Sequence, residues 1–459
     1  MKIYLIIFSL FYLAFMVFYA FKGREENKKT STFLFANSNI GVMLTFLGIL
    51  ATLFSTFTLQ GMPSFFAKHG VGAWIFLGIS DVAMGGFMLY FGLKFRHLVA
   101  SFSGNPKNIT EILKTQKYDK FIIFFYLLFT TIFLIPYITI QIKGAAFLFS
   151  SIFPVGEGYL FWSCVMVALM LLYSSFGGIK AIYITDAFQG LVMLIVVWAI
   201  AFFVLSNVGG VENLFLQVSQ KDEALLSLPG PSGILNWQFL LISFISISLM
   251  PYVQPQLTTR MLVAKDDKTF VKASLVFCFF VILVILPTIF IGFKGSLIGK
   301  DDFLLQILQE EVPPIFYALF VIGVLSASMS TSDSQLMAIG TEWASFFSSK
   351  NIEENKNAKI FVKITALICS IIALILAQSS FKSLILFSIN SFIGTSFLLP
   401  ILYSLKVQKA KYILAFISFF CVAIFTASLL GFLPKYILHL RIELILYCII
   451  GFAMIFSKQ

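Results

Sequence analysis

Apolar and polar residues alternate along the chain in long blocks. Thirteen mostly apolar stretches lie at 3–21, 39–67, 71–95, 121–150, 157–176, 180–206, 234–259, 270–293, 313–346, 359–378, 382–404, 412–433 and 440–457. A helix needs about 20 such residues to cross the hydrocarbon core of a bilayer. The pattern therefore predicts an all-α polytopic membrane protein with about 13 transmembrane helices. The polar joints leave no room for a soluble domain: the longest, 96–120 and 207–233, run to about 25 residues, too few to enclose a core. The first apolar run is too long for a signal-peptide core, and its basic cluster follows it instead of preceding it. That order predicts an uncleaved first span with its N-terminus outside.

Composition agrees and removes the alternatives. Of 459 residues, 59% are hydrophobic and only 12% charged, about half the charge that covers a soluble protein. Cytosolic enzymes, secreted disulfide scaffolds and disordered chains are excluded on that ground. The net charge of +11 would otherwise suggest a nucleic-acid partner. Its distribution says otherwise. Of the 32 Lys and Arg, 23 fall in one alternate set of loops, from Lys22–Lys29 through Arg260–Lys272 to Lys458, and 7 in the other set. A bias that alternates with every span is an orientation signal, placing the basic set and the C-terminus in the cytoplasm. The five cysteines follow no CxxC or paired framework and read as buried, inert thiols. The three histidines are far apart, and GxxxxGK, HExxH and GxSxG are absent. Neither a catalytic centre, a nucleotide site nor a resident cofactor is expected.

Against so apolar a background, polar residues within spans stand out. Asp186 lies six residues beyond Lys180, at roughly 9 Å of helical rise. It reads either as a carboxylate solvated near the interface or as part of an ion path. Asp81 reads as a structural hydrogen-bonding group, and Lys143 as snorkelling or facing a cavity. In the ninth span, Ala327, Ser330, Thr331 and Ser334 share one helical face. That face serves either tight helix packing or a hard-cation site in which hydroxyls combine with carbonyls of an unwound partner. Two spans carry interruptions: the second has Ser and Thr at its centre followed by Gly61 and Pro63, and the seventh holds Pro251 and Pro255. Broken helices in corresponding positions point to inverted repeats. Span counting divides the chain into halves at 39–206 and 234–404, with 3–21 and 412–457 as flanking helices.

These residues give the chain its resemblance to the sodium:solute symporter family. GGIKAIYITDAFQ (177–189) is similar to that family's GG-x-x-A-x-x-x-T-D-x-x-Q signature, and MSTSDSQLM (329–337) to its M-S-T-x-x-x-Q-L-L stretch. ATLFSTFTLQGMPSFF (51–66) takes the place of the first core helix. YVQPQLTTRMLVAKD (252–266) looks like the G-Q-P-x-x-x-x-R-x-x-A element of proline-type members. The resemblance implies a leucine-transporter-type fold in a bacterial-type inner membrane, with Na+ as coupling ion and a small organic solute as cargo. It implies no obligatory protein partner and no nucleic acid. The main sodium site would use carbonyls of Ala51, Phe54 and Ala327 and the hydroxyls of Ser330 and Thr331. Asp186 would lie on the ion's exit path, with Ser330, Asp333 and Ser334 as partners of a second cation. Asp333 stands where a hydroxyl is commoner in the family.

Phe57, Gln60, Tyr137 and Gln254 would line the solute cavity. Proline carriers have an aspartate and a tryptophan where this chain has Leu53 and Phe57, which ranks proline below a small carboxylate, a pantothenate-like acid or another amino acid. The alternative is a sensor or receptor on a transporter fold. Such members carry a long cytoplasmic extension, and this chain runs only two residues past its last apolar stretch.

Overall fold

A computed structural model describes the chain apart from residues 27, 28, 156, 157, 350, 351, 356, 380–383 and 459, and apart from the side chains of 24–26, 173–176 and 384–387. Of the basic residues in the more charged set of loops, Lys28, Lys350 and Lys356 lie outside the described set, as does Lys382 from the other set.

Fifteen apolar helices make up the bundle among the described residues. They are α1 (Lys2–Glu26), α2 (Val42–Leu53), α3 (Phe57–His69), α4 (Ile75–Ala100), α5 (Lys120–Ile152), α6 (Gly158–Leu172), α7 (Gly177–Val208) and α8 (Trp237–Val253). They continue with α9 (Pro255–Val263), α10 (Asp267–Ile298), α11 (Pro314–Phe347), α12 (Ala358–Ala377), α13 (Ser388–Tyr403), α14 (Lys411–Leu429) and α15 (Ile442–Phe456). Eight are long and apolar enough to cross a membrane singly. The pairs α2/α3 and α8/α9 make ten when each is taken as one span bent by 54° or 55°. Helices α6, α13 and α15 are shorter.

Both bends have local causes. Between α8 and α9 only Gln254 leaves the helix, at φ −100° and ψ 118°. Pro255 follows it, and a proline ring excludes the helical conformation from the residue before it. Between α2 and α3, Phe54 is extended at φ −81° and ψ 109°. Ser55, Thr56 and Thr58 follow, residues whose side chains compete with the helical ladder for backbone groups. The Thr58 hydroxyl accepts from Ser55 N and the Ser55 hydroxyl from Phe57 N. The bend thus falls more than a turn before Gly61 and Pro63, the breakers visible in the sequence.

Helix α11 is the axis. In its most apolar stretch 83% of residues are buried, against 22% for α1 at the periphery. Its small residues admit α7, α5 and α12 at close range, so the broken helices meet a rigid wall. A bridge from Lys265 N to Ile40 O (3.1 Å) ties the segment entering α2 to the segment leaving α9. The expectation of buried thiols holds for Cys369 and Cys421 only; Cys164 and Cys448 are exposed and Cys278 half-buried.

Candidate functional site

The end of α2 presents carbonyls that the bend deprives of helical partners, and neighbouring helices supply replacements. Ser330 Oγ donates to Ala51 O at 2.8 Å and lies 3.2 Å from Ala327 O. Thr331 Oγ1 donates to Thr52 O at 3.3 Å, and the Tyr137 hydroxyl reaches Leu53 O at 3.4 Å and Ser55 Oγ at 3.3 Å. Ala51, Phe54, Ala327, Ser330 and Thr331 are all buried. The structure therefore gathers Ala51, Ala327, Ser330 and Thr331 at one point between α2 and α11, with Phe54 at the bend itself. The donor set is neutral oxygen throughout, chemistry that suits a hard cation.

A second cluster continues from there along α11. Thr52 Oγ1 donates to Ser334 Oγ at 3.3 Å, and Ser334 Oγ lies 3.4 Å from Asp186 Oδ2. Arg260 Nη2, from α9, donates to both Asp186 Oδ2 and Ser334 Oγ. This corrects the sequence reading, which counted Arg260 among loop charges. It is 2% exposed and Asp186 1%. The guanidinium also stacks over the Tyr183 ring at 4.4 Å.

Asp186, Asp333 and Ser334, expected together at a second cation site, separate. Asp186 and Ser334 meet, whereas Asp333 forms no hydrogen bond through either oxygen among the described residues. One residue earlier on α11, Asp333 points about 100° around the helix from Ser334. It lies within electrostatic reach of Tyr12 and Asp186. Tyr12 belongs to α1; it accepts from Gln189 Nε2 at 2.6 Å and contacts Met329 Sδ at 3.5 Å.

The expected solute residues surround the bends. The Phe57 ring stands edge-on to Phe76 and to Phe392, 6.5 Å from each, and Phe392 is 5.3 Å from Tyr137. Gln254 Nε2 donates to Thr395 Oγ1 at 3.3 Å, one turn beyond Phe392. Gln60 Nε2 donates to Gly144 O at 3.2 Å and lines a cavity of about 490 Å³ with Ser64, Lys68, Lys143, Tyr159 and Asp301. A separate, much smaller cavity of about 20 Å³ lies beside Arg260, Ser334 and Thr341.

Sequence reasoning missed Phe392, Thr395, Arg260 and Gln141, whose Oε1 accepts from Thr56 N at the bend (3.0 Å). Phe392 had no distinguishing signal among 56 phenylalanines. Lys143 does face the cavity, its ammonium donating to Ser379 O at 2.8 Å. Asp81 departs from expectation: it is 5% exposed with no hydrogen-bond partner among the described residues.

Two bent helices packed against a third, oxygen-rich helix, with the freed carbonyls of α2 turned toward it, define a membrane transporter architecture. Solved structures share it. A Na+-coupled sialic acid symporter in its substrate-bound outward-open state superposes with a TM-score of 0.72 at 16% identity, over 98% of this chain and 95% of that one. The nucleobase-cation-symport transporter MHP1, closed on bromovinylhydantoin, gives 0.60 at 15% identity over 94% of each chain. The chain belongs to the sodium:solute symporter family, whose model matches residues 33–421. Named relatives include a sodium/pantothenate symporter of Haemophilus influenzae, 24% identical over 72% of this chain and 69% of its own. A sodium/proline symporter 2 of Staphylococcus saprophyticus is 26% identical over 80% and 73%. Sodium-coupled solute symport is the function this membership carries.

Proposed function

We propose that the protein imports a small organic carboxylate, a pantothenate-like acid or an amino acid by alternating access, using sodium bound at Ala51, Phe54, Ala327, Ser330 and Thr331. The convergence of the freed α2 carbonyls on the Ser330 and Thr331 hydroxyls carries this reading. Sodium replaces those hydroxyl-to-carbonyl bonds and so fixes the bend relative to α11. The solute then binds an ordered surface at Phe57, Gln60, Tyr137 and Gln254, with Phe392 completing the apolar wall. Coupling follows because both ligands favour the same arrangement of the bend. Asp186, Ser334 and Asp333 lie along the ion's way out.

The basic loops orient the protein, so that the wide cavity opens outside and the small one faces the cytoplasm of a bacterial-type inner membrane. The three shorter helices complete thirteen spans around two inverted halves, 39–206 and 234–404. A membrane potential of about 100 mV adds roughly 2.3 kcal/mol for each positive charge carried inward. The solute is bound and released without covalent change.

The test is the double substitution Ser330→Ala with Thr331→Ala. The protein is expected to insert normally and to lose the sodium-dependent rise in melting temperature that bound ion confers on the native chain. Melting that keeps its sodium dependence rules the site out. The same assay, run over a panel of carboxylates and amino acids with and without sodium, identifies the cargo as the compound that stabilises only with sodium present.

A further inference from the structure

Arg260 occupies a built niche. Its Nη2 donates to the Asp186 carboxylate and to the Ser334 hydroxyl, the two oxygens expected to serve a second cation. Its plane lies on the Tyr183 ring, whose π-face attracts cations. From α2, Gly48 faces Nη1 so closely that a Cβ there would overlap both the guanidinium and the Tyr183 ring. A carboxylate, a hydroxyl, an aromatic face and an absent side chain together fit one planar cation. The charges agree: Asp186 and Arg260 form a buried ion pair, so a sodium beside Asp186 would have to compete with a guanidinium that already holds the carboxylate. Asp333 shares no hydrogen bond with this group, although it lies within electrostatic reach of Asp186 and of Tyr12.

We infer that Arg260 is a tethered cation holding the position of a second sodium, so that the transporter binds one sodium per chain. The inference rests on the proposed sodium site. Being covalently attached, the guanidinium never dissociates with the cargo. An ion released from Ser330 and Thr331 therefore passes a neutralised carboxylate instead of being retained by a bare one.

The experiment is equilibrium binding of radioactive sodium to the purified full-length chain in nanodiscs, which requires no knowledge of the solute. The native protein is expected to bind one sodium, and the Ser330→Ala, Thr331→Ala double variant none. Arg260→Gln empties the niche, and Gly48→Ala expels the guanidinium while keeping its charge in the chain. Each is expected to double the bound sodium, and adding Asp186→Asn to either returns the count to one. Two sodiums on the native protein, or a count still at one in a folded Arg260→Gln or Gly48→Ala variant, overturns the inference. A second native sodium that Asp333→Asn removes would overturn it by locating that ion elsewhere. If Arg260→Gln does not fold, the Gly48→Ala count decides. A native protein that binds no sodium removes the underlying site assignment instead.

Discussion

A buried carboxylate and a buried guanidinium 74 positions apart determine each other's environment. Asp186 at 1% exposure and Arg260 at 2% are tolerable in a bundle interior only as a pair. Asp186→Asn is accordingly expected to destabilise the protein by about 3–5 kcal/mol, through the uncompensated guanidinium it leaves. Asp186→Asn combined with Arg260→Gln should cost less than the first change alone. Melting temperatures of the purified variants check this, and an additive double mutant would show that the pair is not coupled. At this scale the sequence was half legible. Asp186 stood out because it sits deep in an apolar run. Arg260 did not, because three lysines follow it closely and its segment reads as the beginning of a loop. A charge at a helix end can face a neighbouring helix or the solvent, and only the bend at Gln254 directs α9 inward. The Ser330–Thr331 face was legible because hydroxyls at helical spacing are conspicuous among Leu, Ile and Phe.

Helix α11 does more than carry the proposed ion site. Near its end Glu342, 1% exposed, accepts from Ile109 N at 3.0 Å and Thr110 N at 2.7 Å, at the start of the short helix Ile109–Thr115. A carboxylate there also meets the positive end of the helix dipole. Asn108 caps the same helix through Glu111 N at 2.8 Å and donates to Ser345 Oγ at 2.7 Å. Lys114 Nζ reaches Ser345 O at 2.7 Å. The connector is therefore clamped to the helix that carries Ser330 and Thr331, about 16 Å away by helical rise. Glu342→Ala leaves two buried donors unsatisfied at about 1–3 kcal/mol each. Hydrogen exchange should then quicken at the amides of residues 109–112 while those of α5 remain protected. Unchanged exchange at 109–112 would argue against the clamp. Of the elements, both bends were foreseeable from Pro255 and from the Ser/Thr cluster. The clamp was not, since Glu342 lies beyond the ion-site motif and its partners are backbone groups about 230 residues earlier.

For the whole molecule, the apolar blocks gave every long helix to within a few residues, because membrane thickness sets their length independently of tertiary contacts. How those helices surround the site was beyond the pattern: it depends on small-residue contacts and on which face each helix turns inward. The proposed orientation has a direct check in a cysteine-free background. Ser227→Cys and Ser101→Cys, both at exposed positions, place thiols in loops on opposite sides of the bundle. A membrane-impermeant maleimide added to intact cells should label the first and spare the second, whereas labelling confined to Ser101→Cys would invert the topology.

The disparity between a cavity of about 490 Å³ on one side and one of about 20 Å³ on the other would, on the proposed cycle, also separate inhibitors from cargo. On the proposed cycle the outer mouth must collapse before the inner end can widen. A compound whose head satisfies the bend while its tail stays lodged beside Lys143 and Tyr159 acts as a doorstop, binding with sodium but never crossing. Chain length beyond the head group, more than head-group chemistry, would then divide blockers from nutrients, and a homologous series of acids of increasing tail length should pass from one behaviour to the other.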